Sequence, residues 1–104
     1  MPKLPEDCQD MIEVREGVDA TDRELVALLD RRFGYMRAAA RIKQSRDTVR
    51  DEMRKASVIE AAVADARTRG LPEDVIAQIW EQLVEGSIAY EFTEWDRFRD
   101  PGIS

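Results

Sequence analysis

Histidine is absent from this sequence, and cysteine occurs once, at Cys8. A zinc or iron–sulfur site would therefore lack most of its usual ligands, and we expect no metal. A serine or cysteine nucleophile activated by histidine is excluded for the same reason. No glycine-rich phosphate-binding loop is present, and we expect no cofactor. A lone cysteine cannot form a disulfide within the chain, which fits a reducing compartment and predicts a cytoplasmic protein.

Helix-breaking residues and long apolar runs are also scarce. The chain has five glycines and four prolines, and three of those prolines lie near the ends (Pro2, Pro5 and Pro101). The interior therefore favours long helices. No run approaches the ~18 consecutive apolar residues of a membrane span. The first ten residues lack the apolar region of a signal peptide, so we expect neither secretion nor membrane insertion.

Charge, by contrast, is abundant. Charged residues make up 37% of the 104 residues, and the formal net charge is −6. This composition is typical of a soluble globular protein, and we expect one domain over residues 1–104. No basic cluster with interleaved aromatic residues occurs, so we expect no binding to nucleic acid. If the chain is an enzyme, its chemistry must rest on charge, hydrogen bonds and shape.

The longest helical pattern runs from about Asp10 to Ser45. Its apolar or small residues recur at steps of three, four and seven: Val18, Leu25, Leu28, Leu29, Phe33, Met36, Ala39 and Ala40. A helix of about 36 residues would be ~54 Å long, whereas a compact domain of this size has a radius of gyration of only ~13 Å. Such a helix cannot bury its stripe against its own short chain, so we expect a homodimer.

Two shorter helices follow a polar connection at Gln44–Arg50. The apolar spacing predicts one helix over Asp51–Arg69, with Gly70 as its C-terminal cap. The next runs from Pro72, at its first helical position, to about Arg97. Asp100-Pro101-Gly102 is expected to end it. The fold class predicted from these patterns is all-α, with three helices in the chain.

Two cations interrupt the apolar stripe of the first helix. Arg32 and Lys43 are eleven residues apart, close to three full turns, so both emerge from one face. Cations within a buried stripe need an anion. That anion is either a carboxylate of the protein, in a salt bridge, or a small dianionic ligand held between them. Arg15 lies ~25 Å from Arg32 along a helix, so it can join the same site only from another subunit.

A polar pair interrupts the stripe of the last helix. Trp80, Val84, Ser87 and Glu91 follow steps of four, three and four residues and share one face. Ser87 and Glu91 therefore point where packing is expected. Either the core ends near Val84 and this end of the helix is wet, or these residues form the polar end of a ligand cavity.

Together, in order and spacing, these residues resemble the all-helical chorismate mutase family of the type II fold. The resemblance covers nearly the whole chain and implies an intertwined dimer of three-helix subunits. The matching positions are Val14-Arg15-Glu16, Asp19-x-x-Asp22, Leu28-Leu29-x-Arg31-Arg32, Lys43, Val49-Arg50-Asp51-x-x-Arg54, Ser87 and Glu91.

The resemblance assigns roles to the cations. Arg32 and Lys43 are similar to the residues that bind a substrate carboxylate and the ether oxygen of chorismate. Arg54 is similar to the cation that lies on or near the second carboxylate. Arg15 is similar to the arginine donated across the dimer, which agrees with the distance along the first helix.

The resemblance also assigns roles to the remaining polar residues. Asp51 matches a contact to the ring hydroxyl, Ser87 a contact to a substrate carboxylate, and Glu91 a hydrogen-bond donor to the ether oxygen. A carboxyl group donates only when protonated, so we expect Glu91 to act in that form. The implied reaction, chorismate to prephenate, is an intramolecular rearrangement that needs no nucleophile, metal or covalent intermediate. This is consistent with the absence of histidine.

Some residues of the sequence are also compatible with other activities. Pro5-Glu6-Asp7-Cys8 and Gly70-Leu71 resemble the related isochorismate–pyruvate lyases of salicylate synthesis, whereas Val49-Arg50-Asp51 and Ser87 follow the mutase pattern. Lys55 stands where many mutases carry a glutamate, and Glu91 replaces the commoner glutamine. A mutase for 4-amino-4-deoxychorismate is therefore a third possibility. A helical dimerisation module without catalysis is the alternative from a different class.

Overall fold

The computed structural model describes residues 1–100, in which the only regular secondary structure is helical. Helix α1 spans Met11–Ile42, α2 spans Glu52–Thr68 and α3 spans Glu73–Arg99. Short 3-10 turns lie at Pro5–Asp7 and Arg46–Thr48. The predicted all-α class and the three helices are confirmed. Pro101 and Gly102, expected to end the third helix, lie outside the described residues.

The ends of α1 follow from local capping. Asp10 precedes the helix, and its Oδ1 accepts a hydrogen bond from the Glu13 amide at 2.9 Å. The Glu13 side chain in turn accepts from the Gln9 amide at 3.0 Å, which satisfies a second amide near the helix start. The helix stops at Ile42, three residues before the predicted end at Ser45.

The junction between α2 and α3 is set by Gly70. This residue has a φ of 72°, a left-handed conformation that favours glycine. Its amide donates to Arg67 O at 3.1 Å, and the Leu71 amide donates to Ala66 O at 2.9 Å. These two bonds form a Schellman cap, so the predicted cap is confirmed. Pro72 was expected at the first helical position, but its ψ of 111° is extended, and it is the N-cap of α3 instead.

The chain divides into two compact units, the first covering Met1–Tyr35. Within it the N-terminal segment lies along α1, where Lys3 forms an ion pair with Glu13. The apolar stripe of this part of α1 stays uncovered: Val18, Leu25 and Leu28 are 52%, 51% and 50% exposed. Half-exposed branched residues at regular helical spacing are a surface suited to a partner helix.

The second unit begins at Met36 and contains the hydrophobic core. In this unit α2 packs against α3. The buried centre consists of Val49, Val84 and Ile88, with Val58, Ile59, Trp80, Phe92 and Trp95 packed around it. The middle and end of the apolar stripe predicted for α3 therefore form the core with residues of α2 and of the connection before it. Val75 and Ile79, at the start of that stripe, are 46% and 48% exposed instead.

Candidate active site

Lys43 and Glu91, both predicted as site residues, meet in the second unit. Lys43 directly follows α1, and its ammonium lies 2.7 Å from Oε2 of Glu91 on α3. Glu91 is 4% exposed, whereas the lysine side chain is 30% exposed. A buried carboxylate is thus paired with a lysine whose side chain still reaches solvent. A salt bridge to a carboxylate of the protein was one of the two partners considered for Lys43, and the structure contains it. Both of its residues, Lys43 and Glu91, are among those that the family resemblance assigns to substrate binding.

The Glu91 carboxylate keeps an unused hydrogen-bonding position. Its Oε2 is buried and has no aligned hydrogen-bond partner within residues 1–100, although the Lys43 ammonium is close. The lysine also contacts the Val49 carbonyl oxygen at 3.5 Å, a long hydrogen bond. Lys43 thus balances the charge of the buried carboxylate, and its partly exposed ammonium keeps donors that a ligand could use.

Ser87 lies one turn before Glu91 on the same side of α3. It is buried, and its hydroxyl donates to the Leu83 carbonyl at 2.6 Å. Ile88 and Glu94 are buried as well, so the core continues past Val84. The interpretation in which this end of the last helix is wet is therefore wrong.

Asp51 and Arg54 lie at the start of α2 in the same unit. Asp51 is the N-cap, and its Oδ1 accepts from the Arg54 amide at 3.0 Å. Its other oxygen has no donor among the described residues. The guanidinium of Arg54 is exposed and makes no ion pair or hydrogen bond there either. Both side chains retain the groups that a polar, anionic ligand would use.

Arg15 and Arg32 belong to the first unit. Arg15 is exposed and its guanidinium has no ion pair within the described part of the chain. Arg32 is half-buried and does interact with the protein. Since both are on α1, they are ~25 Å apart by helical rise, too far to hold one small ligand from a single helix.

An ionic network around Lys55 was not predicted from the sequence. The Lys55 ammonium lies 2.7 Å from Glu81 and 2.8 Å from Glu85, both on α3. Arg50 also bonds Glu85, at 2.9 Å. Hydrogen bonds from Arg50 and then Lys55 lower the pKa of Glu85 to about 2. Lys55 thus bridges α2 to α3, and its charge is engaged by the protein.

A second polar cluster was also missed. An Arg37 guanidinium nitrogen donates to the Tyr90 hydroxyl at 2.8 Å, and that hydroxyl is 3.4 Å from Glu94. Glu94 is buried and pairs with Arg97 at 3.1 Å. The i, i+4 spacing of Tyr90 and Glu94 was visible in the sequence, but Arg37 is 53 residues from its partner.

A cavity of about 490 Å³ in the first unit is lined by the N-terminal segment and α1, but by none of the predicted site residues. No group of three or more acidic, cysteine or histidine side chains that could hold a metal occurs within residues 1–100. Over the same residues, no helix has the length and apolar character needed to cross a membrane.

Most of the chain is similar to known proteins. The family model for chorismate mutase type II matches residues 14–92. The chain is also 30% identical over 97 residues to an isochorismate pyruvate lyase of Pseudomonas aeruginosa. That alignment covers 93% of this chain and 96% of the other protein. Every predicted site residue, from Arg15 to Glu91, lies within the matched range.

Proposed function

Since the chain belongs to the chorismate mutase type II family, we propose that it is a chorismate mutase, an isomerase that converts chorismate to prephenate. Family membership indicates an enzyme. The observation that carries the proposal is the Lys43–Glu91 pair, in which a buried carboxyl oxygen lies 2.7 Å from an ammonium that still reaches solvent.

The proposed reaction needs positioning and charge more than reactive groups. Chorismate rearranges within one molecule, so the enzyme must hold the reactive conformer and stabilise the negative charge that develops on the ether oxygen. Lys43 supplies an ammonium with three donors, of which Glu91 needs one. With substrate bound, the ammonium donates to the ether oxygen, and Glu91 would donate to the same atom if its carboxyl group took up a proton. Ser87 lies one turn away, and its hydroxyl would contact a substrate carboxylate by turning from the Leu83 carbonyl to the ligand.

The substrate's two carboxylates require cations in addition to Lys43. Arg54 has an exposed guanidinium without an ion pair in the described chain, so it can bind a carboxylate without losing an existing contact. Arg32 binds the other carboxylate. The Asp51 oxygen that is not used in capping α2 is left for the ring hydroxyl.

Completion of the site from a second copy of the chain is part of the proposal. Exposed apolar side chains lie along α1 at Ile12, Val18, Leu25, Val26 and Leu28. Of these, Val18, Leu25 and Leu28 follow steps of seven and three residues and share one side of the helix, and an exposed apolar stripe of this kind favours pairing. Pairing along α1 would bring Arg15 of one subunit to the site of the other, which the ~25 Å separation from Arg32 requires. The working form is then a homodimer with two shared sites.

The second candidate activity is pyruvate elimination from isochorismate. The 30% identity to the Pseudomonas aeruginosa lyase supports it. Asp51 and Ser87, which follow the mutase pattern, favour rearrangement. Lys55, whose charge is engaged by Glu81 and Glu85, supports neither activity by itself.

A substrate panel separates these activities. Purified protein is mixed in turn with chorismate, isochorismate and 4-amino-4-deoxychorismate, and substrate absorbance and pyruvate release are followed. A mutase consumes chorismate without releasing pyruvate. Pyruvate release from isochorismate alone would make the chain a lyase, and consumption of the amino analogue alone would make it a mutase of that compound. If none of the three is consumed, all three proposed activities are wrong.

A further inference from the structure

The end of α1 is capped by side chains of another helix. The last carbonyl groups of a helix have no partner within it. Here a guanidinium nitrogen of Arg99 donates to Ala40 O at 2.8 Å, and the other donates to Arg41 O at 3.3 Å and to Lys43 O. The Trp95 indole N–H also donates to Lys43 O, at 3.0 Å. Both capping residues belong to α3, so the point where α1 stops is fixed from outside the helix.

The capping guanidinium is itself held in place. The Arg99 guanidinium carbon lies 4.2 Å from the centroid of the Trp95 ring, within the range of a cation–π contact. A positive charge at the C-terminal end of a helix is also favourable to the helix dipole. The planar fork of arginine reaches several carbonyls at once, which a lysine ammonium at the end of a flexible chain does less well.

The cap acts on the backbone of a predicted catalytic residue. The Lys43 carbonyl receives bonds from Trp95 and Arg99, and the ammonium of the same lysine pairs with Glu91. Glu91, Trp95 and Arg99 follow each other at four-residue steps on α3, so they lie along one side of it. One stripe of α3 therefore holds Lys43 at both its backbone and its side-chain end.

We propose that Arg99, together with Trp95, is a positioning residue that sets where the Lys43 ammonium stands in the active site. The inference rests on the proposed function for its catalytic part only. Its structural part, that the cap determines the Lys43–Glu91 contact, can be tested without substrate. A cap that merely stabilised the fold would lower the melting temperature and leave the behaviour of Lys43 in the folded protein unchanged.

The first measurement is the labelling rate of lysine amines with acetic anhydride, followed by mass spectrometry on the folded full-length chain. In Arg99→Gln the Lys43 rate should rise ~2- to 10-fold, the range expected for the loss of about one net hydrogen bond. Lys55 is the internal reference because its partners are Glu81 and Glu85. Arg97→Gln is the matched control, since Arg97 pairs with Glu94. An unchanged Lys43 rate in folded Arg99→Gln would overturn the proposal.

The second measurement is turnover of whichever substrate the panel identifies. Arg99→Gln should lower kcat by about tenfold and change KM by less than about twofold, because a misplaced donor loses transition-state contact more than ground-state binding. Arg99→Lys, which restores one donor, should recover part of the loss. An equal loss in Arg97→Gln, or a kcat unaffected by Arg99→Gln, would contradict the catalytic part. If Arg99→Gln does not fold, Trp95→Phe, which keeps the ring and removes the N–H, replaces it in both measurements.

The two measurements fail separately. A wild-type chain that consumes none of the substrates contradicts the proposed function, while the labelling rates still decide whether Arg99 positions Lys43. A wild type that is active, with a Lys43 labelling rate indifferent to the cap, contradicts the positioning role alone.

Discussion

Lys43 and Arg15 are expected to bind the same substrate, yet their surroundings differ sharply. Lys43 is paired with Glu91, and its backbone carbonyl is bonded by two side chains of α3. Arg15 is exposed on a helix whose apolar residues are half uncovered, and its guanidinium has no ion pair within residues 1–100. One part of the proposed site is already arranged by its own unit. The other part, Arg15, lies on a helix that a second subunit would cover in the proposed dimer.

The contrast indicates how each unit is stabilised. The second unit encloses a core around Val84 and Ile88 and orders its polar residues around it. The first unit is a long helix with a short segment folded on it, and it has no such core in the described chain. Rigid placement of catalytic groups needs a packed environment, which the second unit has and which the first would gain in the proposed dimer.

Removing the ammonium of Lys43, which its own unit already holds in place, should have the largest effect on turnover. Lys43→Ala is expected to lower turnover by roughly 30- to 1,000-fold, the range for losing one charge-assisted hydrogen bond in a dry site. The matched control is Lys55→Ala, which breaks an ionic bridge between α2 and α3 and should change turnover by less than about threefold. Steady-state kinetics on the folded fraction of each variant checks this. Equal losses in the two variants would remove Lys43 from the mechanism.

A charge placed on the uncovered face of α1 should separate the subunits. Leu25→Asp would bury an ionised carboxylate in the proposed interface, which is costly. We expect a monomer by analytical ultracentrifugation and a loss of activity of about tenfold or more. Met53→Asp, on an exposed residue of α2, should leave the mass unchanged. A wild type that sediments as an active monomer would refute the shared site.

Mixed subunits test whether the two parts come from different chains. Arg15→Ala and Lys43→Ala homodimers are each expected to be nearly inactive. After subunit exchange, half the molecules are heterodimers with one intact site in two, so about a quarter of wild-type activity should return. The control is a mixture in which both substitutions are on one chain, together with wild type. If exchange is demonstrated and no activity returns, Arg15 and Lys43 do not serve one shared site.

Glu91 offers a finer probe of the prearranged part. Glu91→Gln keeps the shape of the side chain and supplies a permanent donor toward the ether oxygen, so turnover should stay within about threefold of wild type. Glu91→Ala removes the donor and leaves a cavity, and should fall well below both. Kinetics of the two variants at one pH makes the comparison. Equal activity of the alanine and glutamine variants would show that no hydrogen bond from this position is used.

The smallest expected effect concerns the acid stability of the second unit. Arg50 and Lys55 hold the pKa of Glu85 at about 2, below its ordinary value of 4.5. The carboxylate therefore contributes stability above pH ~4.5, and that contribution is lost as the pH falls towards 2. Urea unfolding of wild type and Glu85→Gln should differ slightly at pH 7 and converge near pH 2. Arg50 and Glu85 are both largely accessible to solvent, so the difference in unfolding free energy at neutral pH is small. A difference that grew on acidification would contradict the assignment.

The elements that sequence patterns predicted well are those set by neighbours along the chain. The helical steps, the Gly70 cap and the shared face of Ser87 and Glu91 are local, and the structure has them as expected. The bond from Arg99 to Ala40 O joins residues 59 apart, and the bridge from Lys55 to Glu81 joins residues 26 apart. Nothing in local spacing selects one distant carboxylate or carbonyl over another.

The position of Pro72 could not be predicted from the sequence for a different reason. Its fixed φ suits both the first helical position and the residue before it, and only ψ distinguishes them.

The contacts of Arg99 were not predicted, because an arginine in the last turn of a helix is ordinarily explained by the dipole of that same helix. In this chain Arg99 instead donates to carbonyl oxygens at the end of α1.

The four-residue spacing of Glu91, Trp95 and Arg99 also constrains how this chain can change length in evolution. One residue inserted between Glu91 and Arg99 would rotate everything after it by about 100°, which would take the cap away from Lys43 while Glu91 stayed in place. Compensation would need a matching change at the end of α1. Insertions and deletions in homologues should therefore accumulate at the turn around Gly70, and the stretch from Glu91 to Arg99 should keep its length even where its sequence drifts.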